Sequence, residues 1–96
     1  MDLGLKGRKA IVSAASRGLG LAAARSLARE GVSLVMNARS AEALEKSAAD
    51  IRSEFGVEVT AVAADFNSAE GRKQILDAAG DVDILVNNPG VRQVPT

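Results

Sequence analysis

The chain has no cysteine, histidine, tryptophan or tyrosine, and its only aromatic residues are two phenylalanines. Without Cys there can be no disulfide and no thiolate metal site. Without His and Tyr, two common acid/base side chains are missing from these residues. Neither sign of charge is in excess: 12 Lys plus Arg stand against 12 Asp plus Glu. Nucleic-acid-binding domains tend instead to a basic excess, with a pI above about 9. No uninterrupted apolar run approaches the ~20 residues of a membrane span, and the start Met1-Asp2-Leu3-Gly4-Leu5-Lys6 lacks the apolar stretch of a secretory signal. These absences predict a soluble protein of a reducing, cytoplasmic compartment, with neither nucleic acid nor membrane as partner. What is present is 96 residues, 47% of them hydrophobic. That is about two thirds of the ~150 residues of an average domain. It is apolar enough for a buried core, built from aliphatic and alanine side chains because aromatics are so few.

Short apolar runs alternate with longer amphipathic segments. Residues 9–13, KAIVS, form a run bounded by a loop of small residues and read as a strand buried on both faces. Residues 19–30 are rich in the helix formers Ala, Leu and Arg, with Gly31 after them. Ala22, Ala23, Ala24 and Ala28 are small enough to let this helix lie close to a sheet. Residues 33–37 are a second strand. Ser40 can cap a helix to about Phe55, with Glu42 in its first turn and Gly56 closing it. Residues 57–63 give a third strand, Ser68 caps a helix to about Ala79, and 84–86 make a fourth strand before Asn87-Asn88-Pro89-Gly90. Strands alternating with helices of ten or more residues imply βαβ units, a parallel sheet and right-handed crossovers. There is no linker, low-complexity stretch or tandem repeat, so the expected fold is a single α/β unit.

The segment between the first strand and the first helix, Ser13-Ala14-Ala15-Ser16-Arg17-Gly18-Leu19-Gly20, carries the most chemical information. A helix start offers free N–H groups and the positive end of the dipole, a natural anion site. Glycine there allows a tight turn and lets a pyrophosphate approach the backbone. Ser16 adds a hydroxyl and Arg17 a fixed positive charge. Two glycines alone are equally compatible with a plain strand-to-helix turn; the strand before, the helix after and Arg17 favour phosphate.

An adenosine ribose with a free 2′-hydroxyl is usually held by Asp or Glu about 20 residues beyond the glycines. The corresponding tip here, Met36-Asn37-Ala38-Arg39-Ser40, has no acid. Arg39 can instead face a 2′-phosphate, with Asn37 and Ser40 hydrogen-bonding to it, which favours NADP over NAD. The alternative is an ordinary solvated loop arginine. After the third strand, Asp65 can accept from an adenine amino group while the Phe66 backbone meets the ring edge. Equally, Asp65 or Asn67 can serve only to shape the turn into the Ser68-capped helix.

With these motifs in order, the chain resembles the N-terminal part of a short-chain dehydrogenase/reductase of the classical type, and phrases such as Ser16-Arg17-Gly18-Leu19-Gly20 and Val82-Asp83-Ile84-Leu85-Val86-Asn87-Asn88 are similar to those of 3-oxoacyl-[acyl-carrier-protein] reductases. The family signature Thr-Gly-x-x-x-Gly-x-Gly corresponds to residues 13–20, and Asn-Asn-Ala-Gly to residues 87–90. The resemblance implies a Rossmann-type doubly wound parallel sheet, of which four strands and three helices fall in residues 1–96, in a single domain continuing beyond Thr96. It implies an NADPH-dependent oxidoreductase acting on a small carbonyl or alcohol substrate, in some relatives linked to acyl carrier protein, and commonly a homotetramer or homodimer. Ala14, Ser16, Arg17, Gly18, Leu19 and Gly20 would then hold the diphosphate, and Asn37, Arg39 and Ser40 the 2′-phosphate. Asp65 and Phe66 would hold adenine, and Asn87, Asn88 and Gly90 would lie along the nicotinamide ribose.

Two residues depart from the pattern. Ala14 replaces the first signature glycine, which costs about 1–2 kcal/mol if that position requires positive φ. Pro89 replaces the usual Ala, removing an N–H and pushing Asn88 towards an extended conformation. The family's catalytic Tyr-x-x-x-Lys pair, Ser and further Asn are expected after the fourth strand, and with no Tyr here no catalytic residue lies within these 96. A non-catalytic NADP-binding regulatory or truncated homologue is the alternative reading. A flavodoxin-like or receiver-type domain ranks behind both, because the first strand ends in Ser13 and Ala14 rather than an acidic cluster.

Overall fold

In the computed structural model the structure describes residues 6–13 and 18–86. The elements follow in the order β1 (Lys9–Ser13), α1 (Gly18–Arg29), β2 (Ser33–Ala38), α2 (Ala41–Phe55), β3 (Val59–Ala63), α3 (Ala69–Ala79) and β4 (Ile84–Val86). Every predicted element is present and every strand pairing is parallel, in the spatial order β3-β2-β1-β4. β1 lies in the middle, with Ser13 opposite Asn37 on β2 and Val12 opposite Val86 on β4. The ladder between β2 and β3 runs from Leu34 opposite Val59 to Ala38 opposite Ala63.

Because side chains alternate along a strand, the buried strands feed two separate cores. Ala10, Val12, Leu34, Met36 and Ala38 face α1 and α2, meeting Ala24, Ala28, Leu44, Ala48 and Ile51. Ile11 and Val35 face the other way, meeting Ile75 and Ala79 of α3. Helices α1 and α2 thus cover one face and α3 the other. This follows from chirality: with right-handed crossovers, reversing the direction of travel across the sheet moves the connecting helix to the opposite face. The reversal occurs at β1, between β2 on one side and β4 on the other.

Four local expectations change. The strand expected from Val57 begins at Val59, although the Glu58 carbonyl already accepts from Leu34 N–H at 2.9 Å. The second strand runs one residue further than expected, to Ala38. Ser40 occupies the cap position of α2 with extended backbone, but its side chain makes no capping bond. The alanines of α1 are not equivalent: Gly20, Ala24 and Ala28 recur every fourth residue and are buried, whereas Ala22, half a turn away, is exposed. The helix closes in a Schellman pattern, Gly31 N–H donating to Ala28 O and Val32 N–H to Leu27 O.

At the end of the sheet opposite the strand carboxyl ends, Lys9 ties three elements together. Its ammonium donates to the Ala79 carbonyl at 2.9 Å, capping the C-terminus of α3. Its backbone N–H donates to Asp83 Oδ2 at 3.0 Å, and Asp83 N–H returns a bond to Lys9 O at 2.9 Å. On the other face, Arg25 of α1 reaches Glu54 of α2 at 2.6 Å and lies over the Phe55 ring.

Candidate nucleotide-binding site

In an open parallel sheet, ligands bind outside the strand carboxyl ends where the chain reverses direction. Here that place is the gap between β1 and β4, flanked by the start of α1. Gly18 opens the helix at φ +63°, with nothing within 4 Å of where a Cβ would stand. Its glycine is therefore required by backbone conformation, not by crowding. The first turn of α1 carries no acidic residue, so no carboxylate offsets the positive end of the helix dipole. Gly20 is buried against the sheet, whereas the Leu19 side chain is 64% exposed. Of the loop residues singled out from sequence, Ala14, Ser16 and Arg17 lie outside the described residues, as do Asn87, Asn88 and Gly90 after β4.

The tip of β2 presents Arg39 and Ser40 to solvent. No hydrogen bond or ion pair among the described residues engages the Arg39 guanidinium. Asn37 is different. It is only 2% exposed, and its side chain projects into the α3 side of the sheet instead of standing free beside Arg39. Its Nδ2 donates to the Ala64 carbonyl at 3.5 Å, just past the end of β3. A direct bond from this amide to a surface phosphate is therefore not what the structure offers. Asn37 Oδ1 and the hydroxyl of Ser13, its register partner on β1, are buried and without hydrogen-bond partners among the described residues.

The turn after β3 is heavily cross-linked. Asp65 Oδ1 accepts from Asn67 N–H at 2.9 Å, an Asx turn, and the Asp65 carbonyl accepts from Ser68 N–H at 3.2 Å and Ser68 Oγ at 3.1 Å. Ser68 Oγ in turn accepts from Gly71 N–H at 2.9 Å, capping α3. Arg72 Nη1 donates to the carbonyls of Phe66 and Asn67, each at 3.3 Å. The Phe66 ring packs on the α3-side core. Asp65 thus performs the turn-shaping role considered from sequence with one carboxylate oxygen, and no described residue bonds the other.

Gly71 was not singled out from the sequence, yet it decides how this turn sits. A Cβ there would lie 2.0 Å from the Asp65 carbonyl oxygen, so the first turn of α3 presses against the turn that carries Asp65. The spacing Asp65-x-x-Ser68-x-x-Gly71, an Asx turn running into a serine cap with glycine at the third helical position, is the signal that could have found it.

The residues present suit a dinucleotide. The first turn of α1 has no acidic residue, no described residue bonds the exposed Arg39 guanidinium at the β2 tip, and the buried Ser13 hydroxyl and Asn37 Oδ1 have no partner among the described residues. Among the described residues there is no group of His, Cys, Asp or Glu able to hold a metal, and no helix is long and apolar enough to cross a membrane.

Comparison with known proteins agrees with this arrangement. The family model described as short chain dehydrogenase matches residues 8–96. An uncharacterised oxidoreductase of Bacillus subtilis is 36% identical over 92 residues, covering 95% of this chain and 35% of the relative. The crystal structure of L-sorbose reductase from Gluconobacter frateurii, complexed with NADPH and L-sorbose, superposes with a TM-score of 0.92 at 37% identity, over 100% of this chain and 38% of that one. A short chain dehydrogenase/reductase from Burkholderia phymatum in complex with NAD gives 0.80 at 29% identity, over 84% and 30%. The chain therefore spans roughly a third of the length of these relatives. With its parallel sheet wound on both faces and a family match over nearly all of its residues, the chain belongs to the short-chain dehydrogenase family.

Proposed function

We propose that this chain is the coenzyme-binding part of an NADPH-dependent oxidoreductase that interconverts a carbonyl and an alcohol. The observation that carries the choice of coenzyme is the β2 tip: it has no carboxylate to receive a ribose 2′-hydroxyl, and it exposes Arg39, which nothing described engages. The NADPH complex of the sorbose reductase supports this choice, while the NAD complex of the Burkholderia protein shows that the fold alone does not decide it. In the proposed pose the diphosphate rests on the loop from Ala14 to Gly20 and the start of α1. The 2′-phosphate meets Arg39 and Ser40, and adenine lies by Asp65 and Phe66. The nicotinamide ribose runs along Asn87, Asn88 and Gly90. The bound coenzyme would supply a hydride; the chain's own residues bind and orient it.

The acid/base residues of the reaction are proposed to lie in a continuation of the same domain beyond Thr96, in keeping with the third of the relatives' length that this chain covers. The substrate is a small carbonyl or hydroxyl compound, acyl-carrier-protein-linked 3-oxoacyl groups being one such class.

Arg39→Asp tests the coenzyme reading. A charge-assisted bond to phosphate contributes about 1.5–3 kcal/mol, and about 1.4 kcal/mol is a factor of ten. Dissociation constants measured by nicotinamide fluorescence should rise roughly ten- to a hundredfold for NADPH and change little for NADH. Equal effects on both coenzymes would remove Arg39 from the role.

A further inference from the structure

We infer that Asn37 is a positioning residue that sets the distance between Arg39 and the Asp65–Phe66 turn, and so the fit of a 2′-phosphorylated adenosine. The inference rests on the coenzyme reading above. The β2–β3 ladder ends at Ala38 opposite Ala63. Beyond that pair no ladder bond fixes how far the two chain ends stand apart, although the proposed pose sets one against the 2′-phosphate and the other against adenine. The link that spans this gap is the Asn37 amide: Nδ2 donates to the Ala64 carbonyl, the peptide group immediately before Asp65. Arg39 follows Asn37 by two residues, about 6.6 Å of extended chain. One side chain therefore couples the position of the arginine to that of the turn.

The energetics say that folding alone does not call for an amide here. Asn37 is 2% exposed and, among the described residues, neither its Oδ1 nor the Ser13 hydroxyl opposite it has a partner. A buried acceptor left unpaired costs stability, and an apolar side chain would avoid that cost, while the half-buried Ala64 carbonyl that loses its donor can turn to water. Leucine at this position would extend the α3-side core of Ile11, Val35 and Ile75. The amide thus leaves one buried acceptor unpaired, and the bond it makes among the described residues is the link to Ala64.

The test compares binding of 2′,5′-ADP and of 5′-AMP, which differ only in the 2′-phosphate, by calorimetry on the unmodified chain, Asn37→Leu and Asn37→Thr. Neither variant can donate across to Ala64, and threonine suits a strand. The unmodified chain should prefer 2′,5′-ADP, and both variants should lose that preference roughly tenfold. Asn37→Leu should unfold at an equal or higher urea concentration. Retention of the preference within about twofold in the variants overturns the positioning role and leaves the coenzyme reading standing. Equal binding of the two nucleotides by the unmodified chain overturns the coenzyme reading and this inference with it. Should Asn37→Leu fail to fold, the claim that folding does not need the amide is overturned, and Asn37→Thr decides the positioning role.

Discussion

Alanine at position 71 would bring two effects of opposite sign into competition. Gly71 lies in the first turn of α3 and does not adopt positive φ. Helix propensity alone therefore predicts that Gly71→Ala stabilises, by about 0.5–1 kcal/mol. The local geometry opposes this. The added Cβ would stand 2.0 Å from the Asp65 carbonyl oxygen and 2.8 Å from its carbon, where real Cβ contacts essentially never fall below 3.0 Å. The obstacle is backbone, so helix and turn must separate by about 1 Å, on the scale of overpacking that costs roughly 1–3 kcal/mol. That movement also strains the Ser68 cap on Gly71, a bond whose loss costs about 1 kcal/mol. The clash wins, and the net destabilisation should be about 1–3 kcal/mol. With no tryptophan or tyrosine for fluorescence, urea unfolding followed by far-UV circular dichroism is the assay. The midpoint should fall at constant slope, and 5′-AMP binding should weaken as the Asp65 turn moves. A midpoint equal to or above that of the unmodified chain would refute the steric reasoning.

Gly18 offers the complementary case. Space is open around it but φ is +63°, so Gly18→Ala should cost about 1–2 kcal/mol, and Gly18→Asn less, because asparagine tolerates left-handed backbone; the urea midpoints should rank Gly, Asn, Ala. Asp83→Ala removes an acceptor from the Lys9 backbone N–H and should cost about 1 kcal/mol. Lys73→Ala, which breaks only the exposed i,i+4 pair with Asp77, should cost no more than about 0.5 kcal/mol; equal effects in thermal melts would contradict this ranking.

The fold was readable because each local signal agreed with the next. Buried runs such as Ala10-Ile11-Val12 and Leu34-Val35-Met36, closed by loops and separated by helices with alanine and leucine, leave little but a parallel sheet. The glycine at position 18 and the acid-free β2 tip were likewise visible, since each depends on residue type at one position. What escaped depended on partners distant in sequence. Nothing in Asn37 as a letter says that its amide is turned towards Ala64; that follows from the register placing it between Ser13 and Val62. Gly71 looked like an unremarkable helix residue because the carbonyl it touches belongs to Asp65, across the turn. Ser40 had the right identity for a cap, but its side chain makes no bond to the helix start. Boundaries moved by one or two residues where ladder bonds outlast or precede regular geometry.

The every-fourth-residue stripe of Gly20, Ala24 and Ala28 gives α1 the mechanics of a lever. At ~1.5 Å per residue, Ala28 lies about 12 Å from Gly20, and Gly18 only about 3 Å beyond it. A wedge of one carbon–carbon bond, about 1.5 Å, inserted under Ala28 with Gly20 as fulcrum would tilt the rod by about 7° and carry its tip less than 0.5 Å. The same wedge under Gly20 lifts the fulcrum itself, and the tip with it, by the full amount. Enlarging Ala28 would therefore register as lost packing with the N-terminal end of the helix nearly undisturbed, whereas enlarging Gly20 would displace that end directly.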